Sequence, residues 1–362
     1  MIGHIHKPGD ILVGRYRIEE YLDEGGMQQV FFSTDNAFDR PVVVKVPKNP
    51  SAVKRFARSA QVSARINHAN VAKTLDYFEQ DGRSYLVEEY LPGSDLRQAL
   101  RKNYVLLDSH LVAHIMHHIA KGLAASHHAG VFHRDLKPSN IMVSDDPGFL
   151  VVKITDFGIA KMAEEEIADG LKSDESITGS QTLVGALPYM APEMIDRPRE
   201  ADQPADIWAI GAMAYQLITG TLPFGSGLPA VPKILAAVLP EKPEVLTRRV
   251  QFRSLGNEIW EIVSACLNSD PTKRPSADDL VAQCSALCYS VAKREIGTIS
   301  RYADDAGAWG FIVSPGRESV FFHRSAFYSG GERAKVGQRV NFAAFPGSPK
   351  QRAFPVLLLK DE

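Results

Sequence analysis

Cysteine is scarce: Cys266, Cys284 and Cys288 are the three in 362 residues, and all come late in the chain. So small and odd a set builds no disulfide framework and fits a reducing compartment. Cys284 and Cys288 sit four apart on an expected helix, but without a second pair of ligands they read as buried packing rather than a metal site. Long apolar runs are missing too. No stretch of about eighteen apolar residues occurs, so no membrane-spanning helix is expected. The opening MIGHIHKPGDILVGRYRIEE lacks the apolar centre of a signal peptide. Net charge is only −2, which removes any global electrostatic argument for a nucleic acid or a membrane. The expectation is a cytoplasmic protein with no membrane partner. The last absence is local. Residues 51–68, SAVKRFARSAQVSARINH, read as a helix with four cations (Lys54, Arg55, Arg58, Arg65) and no acid.

What is present is the mixture of a globular protein, 44% apolar and 23% charged, long enough for two or three domains. Residues 11–95 favour strands: RYRIEEYL, QVFFSTD, PVVVKVPK, VAKTLDYF and RSYLVEEYL are short, β-branched or aromatic, and separated by turn residues. From about 96 to 292 the apolar spacing becomes helical, as in LVAHIMHHIAKGLAASHH and ADIWAIGAMAYQLITG. The polar, acidic EEEIADGLKSDESITGSQT between these reads as a long mobile loop. After Arg294 strand texture returns through Leu359. The organisation expected is a lead-in (1–15), a β-rich small lobe (about 16–91), a helical large lobe (about 92–292) and a separate all-β tail (297–362). His110, His114, His117 and His118 recur at helical spacing, but no carboxylate or cysteine joins them on that helix, so structural roles are expected.

FHRDLKPSN at 132–140 carries the chemistry, followed by the strand-like VVKITDFG and then YMAPE at 189–193. Phosphoryl transfer needs a carboxylate to take the hydroxyl proton, oxygen ligands for a metal ion, and cations where charge gathers on phosphate. Asp135 suits the first need, Asn140 and Asp156 the second, and Lys137 the third. Lys45, in the strand VVVKVPK, is placed to hold the α- and β-phosphates.

These motifs, in this order, resemble the protein kinase family over about residues 10–290, and Lys137 within DLKPSN marks the Ser/Thr branch. The opening RYRIEEYLDEGGMQQVF is most similar to the bacterial Ser/Thr kinases. The resemblance implies an α+β, bilobal kinase fold that uses ATP with Mg²⁺ (or Mn²⁺) to phosphorylate a protein substrate. It implies a nucleotide pocket at Leu22, Gly25, Val30, Lys45, Glu88, Glu89 and Leu91. It further implies that Glu193 pairs with Arg274, that Asp206 braces the catalytic loop, and that Arg134 answers a phosphate on Thr178, Ser180 or Thr182.

Four positions depart from the family. Asp23 and Gln28 stand where the first and third glycines of the phosphate loop belong, with Gly25 in the middle place. Ala186 replaces a threonine that contacts the catalytic loop. In the acid-free helix, Ser59 falls where the family carries the glutamate that pairs with Lys45. Glu88, at the back of the pocket beside the hinge residue Glu89, is the candidate substitute, which would move control from that helix to the activation segment or the tail. The rival reading is a pseudokinase, a scaffold without chemistry.

In the tail, AWGFI and VFFHR put Trp309, Phe311, Phe321 and His323 on one strand face, opposite Ile312, Val320 and Phe322. The spacing resembles the cold-shock domain, a small OB-type barrel, which implies stacking of single-stranded RNA or DNA on those four rings. Arg301 and Arg324 stand where that family shows aromatics. Nine Lys/Arg against six Asp/Glu give the tail a mild positive balance. The alternatives are a barrel retained as a protein-interaction module, or an RNA-binding factor with the kinase as its appendage.

Overall fold

The structure, a computed structural model, describes residues 3–24, 28–48, 53–157, 185–198, 201–303, 308–329 and 333–360, without the side chains of residues 53–55, 58 and 59. The small lobe is an antiparallel sheet of six strands, β1 (Ile11–Leu12), β2 (Tyr16–Glu24), β3 (Gln28–Asp35), β4 (Arg40–Pro47), β5 (Thr74–Gln80) and β6 (Arg83–Glu89), in the order 1-2-3-4-6-5. Alternation turns Phe31, Val42, Val44 and Val87 into one buried face. The expected lead-in is part of this lobe. Ile11 and Leu12 pair with Arg17 and Tyr16, and His6 reaches the Tyr85 hydroxyl at 3.0 Å. Leu12 gives these residues an apolar anchor that extends the sheet edge, so they do not trail free. The acid-free segment forms α1 (Val53–Ser63), which packs Phe56 and Ala60 on Leu86 and Tyr77.

The large lobe begins with β7 (Gly93–Asp95), α2 (Leu96–Asn103) and α3 (Ser109–His128), then β8 (Ile141–Ser144) and β9 (Val152–Ile154). It continues through α4 (Pro192–Asp196), α5 (Gln203–Thr219), α6 (Val231–Ala236), α7 (Val250–Cys266) and α8 (Ala277–Ala286). α5 is apolar nearly all round and is accordingly the buried centre of the lobe. It stops at Gly220, whose φ of +73° ends the helix and whose missing Cβ would meet the Val105 carbonyl at 2.5 Å. The α3 histidines are pins: His114 meets the Phe149 carbonyl at 2.9 Å and His117 the Tyr289 hydroxyl at 2.7 Å. Burial lowers both, His117 to about 4. Cys266 and Cys284 are buried as packing, whereas Cys288 is exposed, because α8 ends two residues before it. No helix among the described residues is long and apolar enough to cross a membrane.

The tail is a closed barrel of five strands, β10 (Arg294–Ala303), β11 (Trp309–Val313), β12 (Val320–His323), β14 (Arg339–Phe345) and β15 (Arg352–Leu358), with a short β13 (Phe327–Tyr328) beside β15. A parallel contact between β12 and β15 completes the closure. The tail is not separate. Tyr328, Leu357 and Leu359 enter the same buried cluster as the large-lobe helices, and Phe252 of α7 meets Tyr328 edge-on and Phe354 at a tilt. The first strand starts three residues before the expected boundary at 297, since pairing with β14 begins at Arg294, whose two terminal guanidinium nitrogens bind Asp108 at the start of α3 at 2.6 and 2.8 Å. Asn341 adds bonds to the Tyr104 hydroxyl and the Pro147 carbonyl at 2.9 and 2.7 Å.

Candidate active site

Between the lobes lies a cleft of about 260 Å³, and Leu22, Val30, Lys45, Glu88, Glu89 and Leu91 all line it. Gly25 lies outside the described residues. Val43, Ala72 and Met142 also line the cleft and escaped the sequence reading, since single apolar residues in strands carry no mark of a pocket. Asp23 is on the exposed rim.

Lys45 enters from β4 and is almost fully buried. Its Nζ lies 2.6 Å from Glu88 Oε2, 2.7 Å from Asp156 Oδ1 and 3.2 Å from Thr155 Oγ1. Strand register makes this possible. β4 and β6 are neighbours, so Glu88 faces back into the cleft from the strand beside Lys45. Burial opposes the charge on Lys45, but the two carboxylates outweigh it and hold the ammonium above its usual range. One cation serves two acids unequally. Burial raises both, but Lys45 brings Asp156 below the ordinary carboxylate range, whereas Glu88 stays above it. Gln28, standing for the third glycine, donates its side-chain amide to Asp156 Oδ1 at 3.3 Å. No spacing in the sequence announces that contact, nor that of Thr155.

The HRDLKPSN segment places three groups together. Lys137 Nζ sits 2.9 and 2.7 Å from the two Asp135 oxygens. Asn140 donates its amide to the Asp135 carbonyl at 2.7 Å and to Oδ2 at 3.1 Å. Arg134 and Asp156 both have φ of +62°, an unfavourable backbone for L residues. Asp206 holds the first of these, accepting the His133 and Arg134 backbone N–H groups at 2.9 and 2.6 Å and His127 Nε2–H at 2.9 Å. Arg274 clasps Glu193 with two bonds, 2.5 and 2.9 Å, and lies over the Trp208 ring. Ala186 is buried against Arg134, Asp135 and Asp206, so the side chain there supplies no hydroxyl to the loop. Thr178, Ser180 and Thr182 lie outside the described residues.

On the barrel, Trp309 faces His323 and Phe311 faces Phe321 across β11 and β12. Trp309, Phe311 and Phe321 lie 5.6 to 6.4 Å apart between ring centroids, and the Arg301 guanidinium sits 5.3 Å over Trp309. Gly310 lies between the two β11 rings, where a Cβ would meet the Arg301 carbonyl at 2.4 Å. Ile312, Val320 and Phe322 fill the interior.

The family model described as "Protein kinase domain" matches residues 16–284. Over 289 residues the chain is 34% identical to serine/threonine-protein kinase pkn3 of Myxococcus xanthus, covering 77% of this chain and 51% of that protein. Over 223 residues it is 35% identical to the probable serine/threonine-protein kinase PknB of Corynebacterium glutamicum, covering 59% and 33%. The chain thus spans about half of the first relative's length and about a third of the second's. A crystal structure of Rad53 residues 1–466 in complex with AMP-PNP matches 74% of this chain and 63% of that one, at 24% identity and a TM-score of 0.56, a likeness of fold.

Proposed function

This chain belongs to the protein kinase family, and from that premise we propose that it transfers the γ-phosphoryl group of ATP to serine or threonine hydroxyls of a protein. The observation that carries the reading is the paired placement of Lys45 on Glu88 and Asp156, and of Lys137 and Asn140 on Asp135. Asp135 orients the acceptor hydroxyl and takes its proton as the new O–P bond forms and the bond from the γ-phosphorus to the β,γ-bridging oxygen breaks, releasing ADP. Lys137, bound to that carboxylate, stands ready for charge on the moving phosphoryl oxygens. Lys45 serves the α- and β-phosphates, with Glu88 doing the work that a helix glutamate at position 59 does in the family.

The residues fit a divalent cation. Asn140 spends its amide nitrogen on Asp135, so its Oδ1, which accepts from the Ser139 hydroxyl at 3.4 Å, is the atom that would join the Asp156 carboxylate in holding the ion. Two oxygen donors and no nitrogen or sulfur suit Mg²⁺ or Mn²⁺, whose remaining ligands come from phosphate and water. Such an ion, when bound, neutralises phosphate charge.

The five-stranded closure of the barrel and its ring surface support an OB-type, cold-shock-like domain that stacks single-stranded nucleic acid.

The test of the kinase reading is transfer from labelled ATP with Mg²⁺ by the full chain, Asp135→Asn and Asp156→Ala. Incorporation that disappears in both variants supports it. No incorporation by the intact chain, with or without oligonucleotide, makes the protein a kinase-shaped scaffold.

A further inference from the structure

A second cavity, of about 240 Å³, opens where the last residues of the barrel meet the large lobe. Arg97 and Arg101 of α2 and Lys360 from the tail line it, and no Asp or Glu among the described residues does. Lys360 is fixed there. Its Nζ donates to the Leu100 and Arg101 carbonyls at 3.1 and 3.0 Å, and its backbone N–H to the Asn103 carbonyl at 2.9 Å. These carbonyls belong to the last turn of α2, the negative end of that helix, where the Leu100 carbonyl also accepts the Tyr104 backbone N–H at 3.1 Å, and no acid among the described residues partners the ammonium. The carboxylate beside Arg97 is Asp95, 3.9 Å away, and it already accepts from the backbone and side-chain amides of Gln98 at 2.9 and 2.6 Å. Arg101 is exposed.

The cavity adjoins the reacting groups. Tyr189 lines both it and the small pocket that contains Asp135, and Pro138, three residues after Asp135, forms another part of its wall. Tyr189 is itself held by a 2.6 Å bond to Gln216. Three cations around a hollow next to the proton acceptor make it complementary to negative charge on whatever lies along the cleft mouth.

We propose that this cavity is a subsite for an acidic side chain of the protein substrate, close to the acceptor hydroxyl, and that the barrel completes it through Lys360. The proposal rests on the protein kinase reading and gives it a substrate class, hydroxyls flanked by Asp or Glu. Asp361 and Glu362 lie outside the described residues.

Two fluorescent peptides test it on the full chain: a serine flanked by Asp and Glu, and the same peptide with Asn and Gln. Anisotropy gives binding, and labelled ATP gives kcat and KM. Exposed ion pairs are individually weak, so a combined preference of about fivefold for the acidic peptide is expected, expressed in Kd and KM rather than kcat and shrinking with salt. Arg101→Gln brings the ratio toward one, while Arg101→Lys keeps it. Equal binding of the two peptides by the intact chain overturns the subsite, as does a ratio untouched by Arg101→Gln. If neither peptide is phosphorylated, the kinase reading fails while the anisotropy ratio still decides the subsite.

Discussion

Lys45 and Glu88 form a buried ion pair of 2.6 Å in a chain whose helix α1 brings no acid to that lysine. Glu88→Gln keeps the shape and removes the charge. Lys45 then keeps Asp156 as its one charged partner, beside the Thr155 hydroxyl, and draws on the carboxylate proposed to hold the metal. We expect kcat/KM to fall by about tenfold to a hundredfold, of the order seen when a positioning charge is lost. Steady-state kinetics checks this, and an unchanged kcat/KM in Glu88→Gln ends the pairing idea.

Asp23 sits on the exposed rim where the family has glycine, facing the space the phosphates would enter. A screened surface charge has a small effect, about 1 kcal/mol or less. Asp23→Asn should therefore lower the KM for ATP about two- to fivefold at low salt, with the gain fading as salt rises. A gain independent of salt would point to loop geometry instead of charge.

The barrel is anchored by Arg294 on Asp108, both buried. Arg294→Met strands the carboxylate and should cost about 3–5 kcal/mol, with Asp108→Asn in the same chain recovering part of it. Burial opposes ionisation of Asp108, yet Arg294 holds it below its ordinary 3.8. Its stabilisation is therefore complete above the unfolded value and lost as pH falls through the lower native one. Urea unfolding between pH 7 and pH 3 should show the gap between wild type and Arg294→Met closing at the acid end. A gap that stays constant across that range refutes the assignment.

Trp309 reports on the barrel surface. A single-stranded oligonucleotide should quench its fluorescence saturably at low salt, and Phe321→Ala should weaken binding by about 1–3 kcal/mol. No saturable quenching removes nucleic acid as the ligand of that face and favours a protein-interaction module.

The grouping of the proposed catalytic side chains is legible in the sequence because they are close in the chain. Asp135, Lys137 and Asn140 share one loop, and the contacts among them follow from that loop's short path. The strands of the small lobe were readable for a similar reason, since period-two alternation is a local property. In the sequence Gln28 stands only as a departure from a phosphate-loop glycine, whereas in the fold it bonds Asp156 from 128 residues away. Nothing in the composition of the tail says that Tyr328 and Phe354 lean on Phe252, so its docking is not legible in the sequence.

The sequence by itself therefore determined which charged and amide side chains share the loop at 132–140, and the alternation that puts Trp309 and Phe311 on one face. Residue type and spacing set local chemistry and local periodicity. Only the tertiary structure decided which charge answers which. The antiparallel neighbouring of β4 and β6 gives Lys45 to Glu88, and the docked barrel brings Lys360 onto α2 from 260 residues away. A buried charge takes as its partner whatever the fold sets within about 3 Å, because in a low-dielectric interior an unpaired charge costs several kcal/mol.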